Sequence, residues 1–169
     1  GQPGGVTLGR NIALGSLQTG PGLFDVVIDS SNALVTGGGL FVNNGPVTLN
    51  STGIFFFDSG LNTAAAAQTV LSGYLETTNR RIELNNVTLT GSTTLHSSQG
   101  VASFGNDVIT NGLAMNGQNL TTYGGTAGRT ILTAATNLSA GTLTVASGDL
   151  ALGSGGTGAT LTATAEANL

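Results

Sequence analysis

The side chains able to carry a charge or shuttle a proton are few. Across 169 residues there are four Lys or Arg, eight Asp or Glu and one His. All four cations are arginines, namely Arg10, Arg80, Arg81 and Arg129. A chain without lysine forms no Schiff base, has no phosphate-loop lysine and makes no Lys–Asn isopeptide crosslink. Its lack of cysteine removes disulfides and thiolate metal sites. With a net charge of −4 there is no basic stripe for nucleic acid and no polybasic patch for anionic lipid.

His96 stands beside Leu95 and ahead of two serines, which reads as a solvated turn residue rather than a general base. The acids Asp25, Asp29, Asp58, Glu76, Glu83, Asp107, Asp149 and Glu166 are scattered. A polysaccharide lyase or hydrolase needs carboxylates that converge, often with calcium or a basic side chain. Asp25 and Asp29, flanking one strand, with Asp58 as a neighbour from the next coil, form the best acid combination. The run Gly153–Gly158 lacks both the Asp of a calcium-binding nonapeptide and the Lys of a phosphate loop. The expectation is therefore a non-enzyme with no cofactor and no metal.

Contact residues are better represented. In Ile54-Phe55-Phe56-Phe57, alternation along a strand must put at least one Phe outside the core. Phe55, Phe56 and Phe57 are accordingly candidates for an interface, either with a partner or with the segment that follows. Arg80 and Arg81, near Glu83, join them as a surface ion pair or a stop to sideways strand pairing. The Thr-x-Thr pairs Thr88/Thr90, Thr142/Thr144 and Thr160/Thr162 would suit an ice- or sugar-binding face only if repeated in nearly every coil. Outward positions instead vary among Thr, Ala, Glu, Asp and Phe. The glycosylation triplets at Asn50, Asn86, Asn119 and Asn137 are no more than the Asn, Ser and Thr content supplies by chance. Asn at turns reads as stacking ladders between coils.

These residues are carried by short apolar–Thr–apolar triplets. Val6-Thr7-Leu8, Val47-Thr48-Leu49, Val87-Thr88-Leu89 and Leu143-Thr144-Val145 are the clearest. Each is a minimal strand, aliphatic side chains in and a small polar one out. Gly-Gly, Asn-Asn, Asn-Gly and Ser-Gly lie between them and turn the chain sharply. Overlaying Val6, Val26 and Val47, or Leu8, Ile28 and Leu49, gives a period of about 20 residues, in the range of solenoid repeats. Ile12/Leu34/Ile54, Leu89/Ile109 and Val87/Val108 fit the same spacing. Such a period describes a coil of a parallel β-helix. The fold expected is all-β, a β-solenoid of about eight coils in a rod roughly 35–40 Å long. The rival is an antiparallel sandwich or jelly roll with hairpins at Asn43-Asn44-Gly45, Asn111-Gly112 and Asn116-Gly117. Three-residue strands are short for that architecture.

One stretch departs from the register. Asn62-Thr63, then four alanines and on to Gly73, has the cap residues of a short helix. Residues 1–57 and 81–169 are expected to be solenoid coils of one continuous domain. Residues 58–80 are expected to be an irregular excursion, or one irregular coil, holding that helix.

The run from Arg81 through Asn85-Asn86-Val87-Thr88-Leu89-Thr90-Gly91 to Thr94-Leu95, continued by Val101–Phe104 and by Gln118-Asn119-Leu120-Thr121, resembles a known repeat. It is similar to the degenerate repeats of filamentous-haemagglutinin-like exoproteins and autotransporter passengers. The resemblance covers residues 81–152 well and 1–57 loosely. It implies a secreted right-handed parallel β-helix serving as a surface adhesin or filament shaft, of which this chain would be an internal piece or a short self-assembling relative. The functional expectation is an extracellular or cell-surface structural protein. Its partners would be copies of itself stacked head-to-tail, or a cell-surface or extracellular-matrix component, with no nucleic acid and no membrane insertion. The alternatives are a β-helix polysaccharide lyase or hydrolase, and a Thr-faced ice- or sugar-binding module.

Overall fold

A computed structural model describes residues 4–99, 105–134, 136–138, 140–153 and 161–162. The chain is all-β, with no helix among these residues. Its strands begin with β1 (Gly5–Gly9), β2 (Ile12–Leu14), β3 (Leu17–Gln18), β4 (Asp25–Val35), β5 (Gly39–Leu40), β6 (Val47–Phe57), β7 (Leu61–Asn62) and β8 (Thr69–Glu76). They continue with β9 (Ile82–His96), β10 (Val108–Ala114), β11 (Leu120–Tyr123) and β12 (Arg129–Leu132). Last come β13 (Thr136–Asn137), β14 (Leu143–Ser147), β15 (Asp149–Leu152) and β16 (Leu161–Thr162).

Every pairing among the described residues is parallel, and the registers resolve into three faces. One runs Val6, Val26, Val47, Thr69, Val87, Leu113, Thr136, Leu161. The second runs Ile12, Ala33, Phe55, Leu75, Leu95, Thr122, Val145. The third runs Leu17, Gly39, Leu61, Ile82, Val108, Thr130, Leu150. This is the expected solenoid; a hairpin architecture would need antiparallel pairs.

The turns are not equal in length. Along the first face the steps Val6 to Val26 and Val26 to Val47 keep the early repeat, whereas Val87 to Leu113 and Leu113 to Thr136 are longer. The chain therefore makes about six complete turns rather than eight. Val6/Val26/Val47 and Leu8/Ile28/Leu49 are true equivalents. The other overlays are not. Ile12 stacks on Ala33 and then Phe55, one position away from Leu34 and Ile54. Val87 pairs with Leu113, whereas Val108 pairs with Ile82 on a different face. Leu89 and Ile109 likewise belong to different faces, since Ile109 pairs with Glu83.

The short helix does not form. Asn62 Oδ1 does accept the Ala64 amide at 2.8 Å, as a cap would, and Ala66 N–H reaches Thr63 O at 2.9 Å. The chain then leaves that single turn as β8, which pairs with β6 and β9 on its two sides. Four alanines cannot offset the nucleation cost of a helix against ladder bonds on both flanks of Val70 and Leu71. Residues 61–62 and 69–76 are therefore part of the stack, and the irregularity of residues 58–80 lies in the turns around them.

The long strands β4, β6 and β8 run through a corner from the first face to the second. Each bends at an irregular step, between Ser30 and Asn32, Asn50 and Ile54, and Leu71 and Gly73. Such bulges let a strand turn without breaking its ladder. At the corner Gly73 has φ +92°, and a Cβ there would collide with Ser51 O. Inside, alternation fills the bore. Phe41, Phe55, Phe57, Leu49, Leu71, Leu75, Leu89 and Leu95 are all completely buried.

Candidate functional site

On β6 the pleat divides the phenylalanines. Phe55 and Phe57 are fully buried, stacked with Ala33 and Val35 of the preceding turn. The contact surface expected from Phe55, Phe56 and Phe57 together thus narrows to Phe56. That ring is half-buried and faces outward beside Ile54, which is 45% exposed. Its neighbours along the axis are Leu34, 44% exposed, and Glu76. Arg80 and Arg81 are not part of this face. They sit at the corner between the end of β8 and the start of β9, where the chain enters the third face.

Further along the second face, the outward rows collect both tyrosines and the only histidine. Glu76 pairs with His96, and His96 with Tyr123, while Tyr74 pairs with Thr94 one row over. Tyr74 Oη and His96 Nδ1 share a hydrogen bond of 2.8 Å. The His96 and Tyr123 rings lie 4.7 Å apart, and Tyr74 meets His96 edge-on at 6.2 Å. His96 is therefore a strand residue within β9, not a turn residue. Burial lowers its pKa, favouring the neutral imidazole. Burial also raises the pKa of Glu76, partly offset by the neighbouring Tyr74 hydroxyl. Tyr74 is raised by burial first, then by the adjacent Glu76. This cluster can exchange protons and present aromatic edges, and a fixed repeat in the sequence conceals it. The step from Glu76 to His96 is an ordinary turn, but the step from His96 to Tyr123 is a lengthened one, so no single period aligns all three.

Asp25, Asp29 and Asp58 do not come together. Asp25 and Asp29 both lie on β4, roughly 13 Å apart at the rise of a strand. Asp29 has Gly9 and Asn50 as axial neighbours, and Asn50 Nδ2 donates to Asp29 Oδ1 at 2.9 Å. Asp58 follows the end of β6, and its amide bonds to Val35 O on another face. Among the described residues no three His, Cys, Asp or Glu side chains are grouped to hold a metal. Thr88 stands between Val70 and Ala114, so its row is not a threonine ladder. Asn side chains do bridge turns. Asn111 Nδ2 donates to Asn85 Oδ1 at 2.8 Å, Thr133 Oγ1 donates to Asn111 Oδ1 at 3.3 Å, and Ser72 Oγ reaches Asn50 Oδ1. Val101–Phe104, Ser154–Gly158, Thr160 and Glu166 lie outside the described residues.

Among the described residues, two concavities of the outer surface stand out. The one beside Arg80 and Arg81 has a volume of about 400 Å³. Its floor is the outward ladder Gln18, Leu40, Asn62, Glu83 of the third face. Arg81 pairs with Glu83 at 3.6 Å, and Asn62 Nδ2 donates to the same carboxylate oxygen at 3.5 Å. The second, about 670 Å³, runs past Asn85, Asn86 and Asn111 and is lined by no charged side chain. Comparisons with protein-family models, with curated proteins and with solved structures give no match to this chain.

Proposed function

We propose that this chain is a non-enzymatic structural element, an extracellular β-helical shaft that assembles by axial stacking of one copy on the next. The observation that carries the reading is the state of the first turn. Val6 is 47% exposed and Leu14 37%, whereas their partners one turn later, Val26 and Val35, are 2% and 0% exposed. These are inward positions that become core only when another β-layer covers them, whether it belongs to a preceding segment or, as proposed, to another copy. Among the described residues, β1, β2 and β3 each pair on one side only, so their ladder groups face along the axis as well. An open strand edge above an open apolar bore is a template for a further rung. A parallel solenoid has a near-constant cross-section, and stacking one copy on another gives a heterologous, non-closing contact.

The low charge, the few sites for trypsin-like cleavage, the Gly, Thr and Asn content, and the resemblance to filamentous-haemagglutinin-like exoproteins support placing this shaft outside the cell or on its surface. Sedimentation velocity over a hundredfold concentration range tests the stacking. The expected result is a weight-average coefficient that rises with concentration, and collapses to one monomeric boundary in a Val6→Lys/Leu14→Lys double variant. A concentration-independent monomer would overturn it.

A further inference from the structure

We propose that the groove along the third face is a binding site for an acidic polysaccharide chain, its carboxylates held by Arg80 and its hydroxyls by the amides of the floor. Half of the chain's cations stand at this one cavity. Arg81 is engaged by Glu83, and Glu83 in turn is held by Asn62, so that pair is locally neutral. The exposed guanidinium of Arg80 has no carboxylate partner among the described residues. It is the uncompensated charge of the groove, and its planar fork suits a carboxylate.

The backbone holds that charge in place. Asn79 N–H bonds to Thr77 O at 3.2 Å, and Thr77 Oγ1 donates to Arg80 O at 2.5 Å. The turn carrying Arg80 is therefore ordered before a ligand arrives, which lowers the entropic cost of binding. Below it, Gln18, Leu40, Asn62 and Glu83 stand on four successive rungs and mark out a track roughly 14 Å long. Asn106 closes the groove with another amide.

An acidic peptide is the competing occupant, and the track fits it poorly. β5 is paired on both sides, with β3 and β7, and β7 with β5 and β9, so beside Arg80 no strand edge is free for a peptide backbone, and the one open edge in the groove is that of β3 at the axial end. Leu40 is the one exposed large apolar side chain in the groove, which leaves little apolar surface to anchor peptide side chains. The amides of Gln18, Asn62 and Asn106, spread along the groove, offer donors and acceptors to a chain whose every unit carries hydroxyls. The proposal is independent of axial stacking, because the groove lies on the side of the rod.

The test is calorimetric titration of the full chain with a galacturonate hexamer, the corresponding neutral galactose hexamer and a hexaglutamate peptide. The acidic saccharide is expected to bind at least tenfold more tightly than either comparator and to weaken as salt is raised. Arg80→Gln is expected to lower its affinity about tenfold without changing the urea unfolding midpoint, while Arg80→Lys retains part of the affinity. Equal binding of the neutral saccharide, tighter binding of the peptide, no heat at millimolar ligand, or an unaffected Arg80→Gln variant would each overturn the proposal. Formation or absence of threads bears on stacking alone.

Discussion

Adjacent residues on β6 show how much one step of the pleat decides. Phe55→Ala empties a fully buried site and should cost about 3–5 kcal/mol, whereas Phe56→Ala, at a half-buried outward site, should cost about 1 kcal/mol. Urea titration of the two variants measures the difference, and equal losses would mean that the strand register is wrong by one position. The second-face cluster carries the pH dependence. His96 is lowered in the folded chain, so the unfolded chain binds the proton more readily. Its contribution is fully present above about pH 6.5 and is lost as pH falls from there through the folded pKa. Glu76 is raised and has the opposite sign: its contribution is complete below about pH 4.3 and is lost as pH climbs through the folded value. Two results follow for thermal melts. His96→Gln should flatten the fall in Tm on going from pH 7 towards pH 5. Glu76→Gln should leave Tm at pH 7 unchanged or raised, since an amide avoids the cost of burying a carboxylate. A steeper acid-side fall in the His96 variant would contradict the assignment.

Elements in this fold are held by their neighbours on adjacent turns more than by their own propensity. Gly73 illustrates it. As a chain-reversing signal it is legible in the sequence, yet the residue closes no helix; it turns β8 around a corner of the stack. Gly73→Ala meets both an unfavourable backbone conformation and the Ser51 carbonyl, and should cost at least about 2 kcal/mol. Gly15→Ala, where nothing lies within 4 Å, should change stability by no more than about 0.5 kcal/mol. The denaturation midpoints of the pair separate a packed corner from an open turn. The same dependence sets what a reader of the sequence can recover. Inward rows of Val, Ile and Leu announce strands, and the early turns are regular enough that Val6, Val26 and Val47 align correctly. Beyond Val87 the turns lengthen, so Val108 falls on another face and a fixed period misplaces it. The His96 cluster and the Arg80 groove depend on that same cross-turn register. Individual residues such as Phe56 and Arg80 stand out in the sequence; the company they keep does not.

For the whole molecule, the stack makes the backbone itself the interacting surface. Lateral faces are varied, with amide ladders, an aromatic patch and a cationic groove, while every turn presents the same kind of ladder to the next. Axial assembly should therefore tolerate lateral substitutions and be sensitive to the rows that open at the first turn. Phe56→Ala should leave assembly intact, and Leu14→Lys should weaken it, because a charge would then enter the bore between two layers. Light scattering at matched concentrations checks both, and the reverse ranking would point to lateral association through the second face. The most direct measurement is electron microscopy of the purified chain at high concentration. The account predicts threads one rod wide, lengthening in steps of a single chain and carrying an axial repeat of about 4.8 Å between rungs. Uniform particles of one rod length, at every concentration tried, would contradict it.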